Sequence, residues 1–134
     1  MKKIFFDVLV TENQVLKEYL KEQDYIDDNT VILDKATEKD IAGKRVCGDI
    51  PFDLFGKTAL CSIVKLEIIK KTIGEIKGIR TPEDVFNNKE VITMLFKDTP
   101  VVFFKNEHLD LPQGLYMCKN IEYANEFYKQ FWKE

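Results

Sequence analysis

The sequence predicts a single α/β domain spanning residues 1–134, with a small, mostly parallel, Rossmann-like sheet flanked by helices. Short segments rich in apolar and β-branched residues alternate with segments of helical periodicity. This alternation, at the spacing found here, is typical of βαβ units. A content of 45% hydrophobic and 32% charged residues is that of a globular domain with a buried core. A C-terminal β-hairpin and helix are expected to complete the fold.

The first half of the chain predicts four strands. They are the runs Lys2–Val10, Thr30–Leu33, Lys44–Gly48 and Leu60–Ile68.

Three helical segments are expected between these strands. Thr11 and Gln14 form a capping box ahead of a helix that runs to about Glu22. Thr37 begins a brief helix that Gly43 stops, and Pro51 begins a short helix ending at Phe55.

The second half is less regular. Thr81 is expected to cap a helix that ends at Asn87-Asn88, after which Val91–Phe96 and Val101–Phe104 are interpreted as a β-hairpin. The alternative is that Val85–Phe96 forms one longer helix. Leu115–Cys118 predicts an edge strand.

Asn120 is expected to cap a last helix. One face of that helix is aromatic and apolar from Ile121 to Trp132, so it covers either the sheet or a second subunit.

Composition excludes several function classes. A net charge of −3 argues against a long nucleic acid as partner, because such binding needs a basic field. No run has transmembrane length, so no membrane partner is expected. Cys47, Cys61 and Cys118 have no metal-site spacing and are interpreted as reduced thiols in a cytoplasmic protein.

The junction from Gly43 to Lys57 carries most of the functional information. It places a glycine, Gly48, and a helix-starting proline, Pro51, directly after a predicted strand. In open α/β sheets ligands bind at the carboxyl ends of strands. The backbone N–H groups of Phe52 and Asp53 are therefore expected to face an anion.

Sequence motifs for established chemistries are weak here. Gly56-Lys57-Thr58 matches the end of a P-loop, but Pro51 occupies the position of its first glycine, so Lys57 is at most a lone phosphate contact. His108, the single histidine, lies in a polar loop and supports no catalytic triad.

Three further features of the sequence each have a functional and a structural interpretation. Asp49 and Asp53 could bind Mg²⁺ or act as acid and base, but cap and dipole roles at the helix start account for them more simply. Asp7, inside an apolar strand, either marks a functional site, or sits at the edge of the sheet or faces a neighbouring lysine. Lys77–Thr81 is either an anion-binding wall or a plain loop.

The chain resembles a small type III CRISPR-associated accessory family of ring-nuclease type over roughly its first two thirds. The family's Val-Thr-Arg-His corresponds to Val10–Asn13, its Glu-Trp-Leu to Glu18–Leu20, and its Gln-Gly to Gln23-Asp24. Its motif Gly-Asp-x-Val-x-Gly-x-Leu-Pro-x-x-Leu matches Gly43–Leu54, and Lys77–Thr81 loosely matches Arg-Gly-x-Glu-Leu-Thr.

The resemblance implies a homodimer that binds, and cleaves, a cyclic oligoadenylate second messenger of antiviral defence. The implied reaction is metal-independent attack of a ribose 2′-OH on the adjacent phosphodiester, without a cofactor. Positioning of the hydroxyl and stabilisation of developing charge are the main requirements of such a reaction. A two-fold ring also suits a dimer that presents one junction twice.

The predicted ligand-binding residues follow from these junctions, with no metal and with the catalytic residue unassigned. They are Thr11, Asn13, Gly48, Asp49, Ile50, Pro51, Phe52, Lys57, Arg80 and Thr81.

The family's Arg-His is replaced by Glu12-Asn13, which removes a cation and a candidate general acid. A non-catalytic sponge for the same messenger is therefore one alternative. A protein-interaction module that uses the face from Phe127 to Trp132 is a second, and a metal-dependent hydrolase that uses Asp7, Asp49 or Asp53 is a third.

Overall fold

The computed structural model describes residues 3–63, 78, 80–81, 84, 88–104, 109–112 and 114–131, without the side chains of Phe52 and Ile63. The strands are β1 (Val8–Val10), β2 (Val31–Leu33), β3 (Arg45–Gly48), β4 (Leu60–Ile63), β5 (Val101–Phe103) and β6 (Tyr116–Cys118). The helices are α1 (Gln14–Glu22), α2 (Glu38–Ile41), α3 (Lys89–Lys97), α4 (Ile121–Phe131) and the 3₁₀ helix Phe52–Lys57. Among these described segments, no helix is both long and apolar enough to cross a membrane.

The six strands form one sheet in the order β2-β1-β3-β4-β5-β6. The first four are mutually parallel, while β5 runs antiparallel to both β4 and β6. The predicted α/β class with a mostly parallel, Rossmann-like sheet is confirmed. Because β2 lies on one side of β1 and β3 on the other, the strand order reverses between β1 and β3, where such sheets bind ligands.

The parallel strands end in register at one side of the sheet, here called the carboxyl edge. Val10 is paired with both Leu33 and Gly48, and Gly48 is paired with Ile63. The opposite side, where β1, β3 and β4 begin, is called the amino edge. The chain therefore leaves four neighbouring strands at a common rim.

Two apolar clusters cover the two faces of the sheet. The larger lies under α1, α3 and α4 and includes Phe6, Leu9 and Phe103. The smaller lies under α2 and the 3₁₀ helix and includes Val10 and Val46. The continuous apolar runs in the sequence follow from burial on both sides.

The N-cap of helix α1 lies two residues later than predicted. Its N-cap is Asn13, whose Oδ1 accepts hydrogen bonds from Val15 N (2.9 Å) and Leu16 N (3.3 Å). The predicted Thr11–Gln14 capping box is wrong, because Thr11 Oγ1 instead accepts a bond from Asn13 N (2.9 Å). Asparagine is the better cap of the two, and one amide oxygen here satisfies two N–H groups.

Other predicted helix starts are confirmed. At the start of α2, Thr37 N (3.1 Å) and Thr37 Oγ1 (2.8 Å) both donate to Asp40 Oδ2, and Gly43 follows that helix with φ +70°. Asn120 Oδ1 accepts from Tyr123 N (2.8 Å) at the start of α4.

The predicted hairpin arm Val91–Phe96 is wrong, because this segment belongs to α3, as the longer-helix alternative anticipated. Asn88 is the N-cap of α3, since its side chain accepts a bond from Val91 N (3.1 Å), so the helix begins at Lys89 rather than at Val85. Residues 85–87, at the predicted end of the Thr81 helix, lie outside the described residues. Val91 and Phe96 are buried against the core on the same helix. The antiparallel pair at this end of the chain is β5 with β6, and β6 is the predicted edge strand.

Strand β1 is shorter than predicted. Ile4 and Phe6 are fully buried, but their N–H groups donate to Asn125 Oδ1 and Tyr25 O rather than to a neighbouring strand. Burial among helices therefore explains their apolar character. The predicted continuation of β4 over residues 64–68 lies outside the described residues, as do His108 and Trp132.

Helix α4 covers the sheet, which is one of the two roles expected for its apolar face. The Phe127 ring lies 5.4 Å from that of Phe103 and 5.6 Å from that of Tyr116, and Tyr128 stacks on Phe103. Ile121 and Ala124 are buried on the same face. The described part of this face is thus occupied within the chain.

An ion pair between Asp7 and Arg45 lies at the amino edge. Asp7 accepts from the Arg45 side chain through both oxygens, at 3.0 Å from Nε and 2.9 Å from Nη2, and also from Arg45 N at 3.0 Å. Partial burial would raise the pKa of Asp7, but these hydrogen bonds and the guanidinium charge outweigh it, so the pKa lies below its usual 3.8. This joins the start of β1 to the start of β3, a structural role for Asp7.

Replacing Asp7 with asparagine is expected to lower the free energy of unfolding by about 1–2 kcal/mol at neutral pH, because charge-assisted bonds to Arg45 are lost. A lowered pKa stabilises the folded state above the ordinary carboxyl pKa, and this contribution disappears as the pH falls through the folded-state pKa. Urea unfolding should therefore show a gap between wild type and Asp7→Asn that closes below pH 3.8. Asp53→Asn, at an exposed position, is the control, and an equal loss in both variants would contradict the assignment.

Candidate functional site

The β1 and β3 exits meet at the carboxyl edge. Asp49 N donates to Val10 O at 2.8 Å, directly after the Val10–Gly48 pair. Gly48 has φ +119°, and a Cβ built on it would lie 2.0 Å from Val10 O. The exits of β1 and β3 therefore lie at one rim, and the space that Gly48 leaves is filled by β1 rather than by a ligand.

A shallow cavity of about 160 Å³ opens at the same edge, on the β2 side of β1. The residues that line it come from the β1–α1 junction, the first turn of α1 and the end of β2. They are Thr11, Glu12, Asn13, Gln14, Lys17, Ile32 and Asp34. The fold produces this cavity because Thr11 N donates to Leu33 O (2.8 Å), which holds the two exits side by side.

The cavity carries mixed charge. Glu12 and Asp34 contribute two carboxylates, and Lys17 contributes one ammonium group one turn into α1. Such a lining can hold one phosphate at the lysine while its carboxylates accept hydrogen bonds from amino or hydroxyl groups. The lining chemistry is therefore suited to a ligand that is both anionic and rich in donors.

Two predicted residues, Thr11 and Asn13, lie in this cavity. Their side-chain oxygens are already used as acceptors, Thr11 Oγ1 by Asn13 N and Asn13 Oδ1 by Val15 N and Leu16 N. For the Asn13 amide nitrogen, the described residues show no hydrogen-bond partner. Thr11 and Asn13 thus shape the cavity, and the donors they offer are the Asn13 NH₂ group and the Thr11 hydroxyl.

The predicted residues of the Gly48 junction lie one strand away from the cavity. Asp49 and Pro51 are exposed at the rim, whereas Ile50 is buried beside Val46. Pro51 is the N-cap of the 3₁₀ helix, so the interpretation of Asp49 as cap is wrong. That helix has only six residues, and the Phe52 side chain lies outside what the structure describes.

Lys57 lies at the amino edge. Its carbonyl accepts from Gly43 N (2.8 Å), just before β3, and its ammonium group pairs with Glu38 at 3.3 Å. Since β3 spans the sheet between this point and Gly48, the structure does not bring Lys57 together with the cavity.

Arg80 and Thr81 bond to Asp84. The Asp84 carboxylate accepts from the backbone N–H of both residues at 2.9 Å, and Thr81 Oγ1 accepts from Asp84 N at 3.2 Å. This confirms Thr81 as a cap. Among the described residues, neither Arg80 nor Thr81 forms a hydrogen bond to a residue of the carboxyl edge. Residues 77 and 79 of the predicted anion-binding wall lie outside the described residues.

Among the residues that the structure describes, no group of three or more histidine, cysteine or carboxylate side chains is arranged to hold a metal ion. Cys47 is fully buried, and burial raises the pKa of its thiol despite a contact with Ser62. This protonated thiol is a core residue.

The predicted ligand-binding residues did not include five of the residues that line the cavity, namely Glu12, Gln14, Lys17, Ile32 and Asp34. Lys17 is four residues after Asn13, so one turn of α1 places both on the same side. Asp34 directly follows β2, whose carboxyl end lies at the same edge as that of β1. Applying the carboxyl-end rule to every parallel strand would have identified Asp34.

Compared with family models, with curated proteins and with solved structures, the chain gives no match.

Gly48→Ala is expected to lower the free energy of unfolding by roughly 2 kcal/mol or more, because the methyl group meets Val10 O and the positive φ becomes strained. Gly56→Ala is the matched control, since nothing lies within 4 Å of its built Cβ. Thermal and urea unfolding of both variants measure the difference. Equal stability of Gly48→Ala and wild type would show that β1 and β3 do not approach this closely.

Proposed function

We propose that this chain binds a cyclic oligoadenylate at the carboxyl edge, in the cavity between the exits of β1 and β2. The observation that carries the proposal is the placement of a polar cavity beside the topological switch point of a Rossmann-like sheet. The resemblance of Gly43–Leu54 to the ring-nuclease motif supplies the ligand class.

The mixed charge of the cavity lining suits a nucleotide better than a ligand that carries only phosphate groups. Lys17 and the Asn13 NH₂ group can donate to a phosphate, while Glu12 and Asp34 can accept from an adenine amino group or a ribose hydroxyl. Two carboxylates beside one ammonium group would repel a ligand that offered only phosphates.

The small volume of the cavity favours a ligand that is held by the cavities of two chains together. Ligand pockets usually have volumes of about 300–1,000 Å³, so 160 Å³ accommodates part of one nucleotide. A two-fold ring placed across two copies would contact the cavity of each.

Binding without cleavage is the second candidate, and the cavity favours it. Glu12 and Asn13 replace the family's Arg-His, and the carboxamide of Asn13, whose oxygen is held by two backbone N–H groups, does not supply the proton that a histidine would. In-line attack by the ribose 2′-OH would then depend on positioning alone. A cytoplasmic location is part of the proposal, and the three free, buried cysteines are compatible with a reducing compartment.

Lys17→Met is expected to weaken cyclic tetra-adenylate binding about tenfold, because one charge-assisted phosphate contact is lost. Lys57→Met, at the amino edge, removes an equivalent charge and should leave the affinity unchanged. Titration calorimetry measures both, and chromatography of the incubated ligand detects linear products with cyclic phosphate ends.

Absence of binding by the wild-type protein would overturn the proposal. An equal loss of affinity in the two lysine variants would overturn the location of the site. Binding with no linear product would assign the sponge role, and product formation would assign the ring-nuclease role.

A further inference from the structure

Strand β6 forms an edge of the sheet without the features that usually protect such an edge. β5 pairs with one side of β6, and none of the other described strands pairs with its outer side. The strand contains neither proline nor a charged residue, whereas β2, at the opposite edge, is followed directly by Asp34 and Lys35. Leu115 and Met117 are 64% and 70% exposed. An open apolar edge of this kind is a template for pairing with another strand.

The hydrogen bonds of β5 determine which backbone groups of β6 point outward. Phe104 N donates to Ala59 O (2.9 Å), so the backbone of Phe104 faces β4. Successive residues of an antiparallel ladder alternate in direction, so Phe103 faces β6 and bonds there to its partner Tyr116. The residues on either side of Tyr116, among them Met117, therefore direct their N–H and C=O groups away from the sheet.

The side chains of Leu115 and Met117 lie on one face of β6. Tyr116 and Cys118 belong to the larger apolar cluster on the other face. Met117 is paired with Val102, which packs against the smaller apolar cluster. The apolar surface of this face thus continues to the open edge, where every second residue presents an exposed apolar side chain.

A cation follows this apolar strip. Lys119 comes two residues after Met117, and its ammonium group lies 5.4 Å from the centre of the Tyr123 ring. Among the described residues, no carboxylate forms an ion pair with Lys119. The end of β6 therefore carries a positive charge that lacks an acidic partner.

We propose that β6 binds an extended peptide segment of another protein, which joins the sheet as an added strand antiparallel to β6. Its backbone bonds to the outward groups of Leu115 and Met117, and its apolar side chains at two alternate positions lie beside theirs. In this orientation the residue that precedes the apolar pair lies beside Lys119, where an acidic side chain is favoured. The segment is therefore acidic first and alternately apolar afterwards.

A second copy of this chain matches the edge less well than such a peptide does. In antiparallel pairing of two β6 strands about Met117, Leu115 of one copy lies opposite Lys119 of the other, so neither ammonium group gains a carboxylate. Charge complementarity thus favours an acidic peptide.

This surface is independent of the proposed function, because the cavity lies beside β2 at the opposite edge of the sheet. It also differs from the aromatic face of α4, whose residue Phe127 packs against Phe103.

Titration with two synthetic peptides tests the proposal. The probe, acetyl-Glu-Glu-Thr-Val-Thr-Ile-Thr-amide, can place its valine beside Met117, its isoleucine beside Leu115 and a glutamate beside Lys119. In the control peptide both glutamates are replaced by lysine, and its binding should be about tenfold weaker. Nuclear magnetic resonance of the isotope-labelled protein should show the amide signals of Leu115 and Met117 shifting, and their exchange with solvent slowing. Titration to about 1 mM peptide covers the weak affinity of so small an interface.

Two variants test the apolar contact and the charge separately. Met117→Asn should weaken binding of the probe about tenfold, whereas Met94→Asn, at an exposed methionine of α3, should leave it unchanged. Lys119→Glu should invert the preference, so that the lysine peptide binds more tightly than the probe. Circular dichroism verifies that each variant is folded.

Binding at β6 with an inverted charge preference in Lys119→Glu would support the proposal. Absence of binding by the wild type would overturn it, as would binding that shifts other amide signals and is unaffected by Met117→Asn and Lys119→Glu. A wild-type dimer paired through β6 that excludes the peptide would also overturn it, in favour of a second copy.

Discussion

The absence of a side chain at Gly48 is the constraint on which the arrangement of the carboxyl edge depends. With a Cβ only 2.0 Å from Val10 O, any other residue would force β3 away from β1. Close approach allows Asp49 N to donate to Val10 O and directs the chain into the 3₁₀ helix. The same contact keeps Val10 in register with both neighbours, so the exits of β1, β2 and β3 lie on one rim.

The charged side chains at the two edges of the sheet differ in their partners. At the amino edge, Asp7 and Arg45 satisfy each other through a bidentate ion pair and a backbone bond. Lys57 is held nearby by Glu38. The carboxyl edge instead presents Lys17 and Asp34 beside a cavity, without a recorded ion pair between them in the described chain. The charged groups of the amino edge stabilise the fold, whereas those of the carboxyl edge line the cavity in which we propose that a ligand binds.

Much of the fold could be predicted because local and tertiary signals agree in the parallel half of the chain. Val46 and Cys47 are buried on both faces of the sheet, and the caps at Thr37 and Asn120 are local, so pattern alone identifies them. Val91–Phe96 could not be assigned from pattern, since a short apolar run fits a strand or a helix. Its helical state depends on the Asn88 cap and on packing of Phe96 against Tyr19 and Tyr25.

The candidate site was predicted only in part, because position along the chain does not reveal which edge of the sheet a residue occupies. Lys57 is close to Gly48 in sequence, yet the 3₁₀ helix carries it to the amino edge. Lys17 is far from Gly48 in sequence, but α1 begins at the carboxyl edge. Edge assignment requires the strand order, and the strand order emerges only from packing.

The role of Asn13 as a helix cap also limits the chemistry that this residue can supply. The resemblance places Asn13 where the family has histidine, but the Asn13 oxygen holds Val15 N and Leu16 N, and the helix start depends on it. An asparagine carboxamide does not titrate, so unlike a histidine it cannot take up or release a proton during a reaction. What the cavity can supply is recognition by the Lys17 charge, the Asn13 NH₂ group and the carboxylates of Glu12 and Asp34. Any cleavage of a bound ring would therefore be driven by the geometry imposed on its own ribose and phosphate.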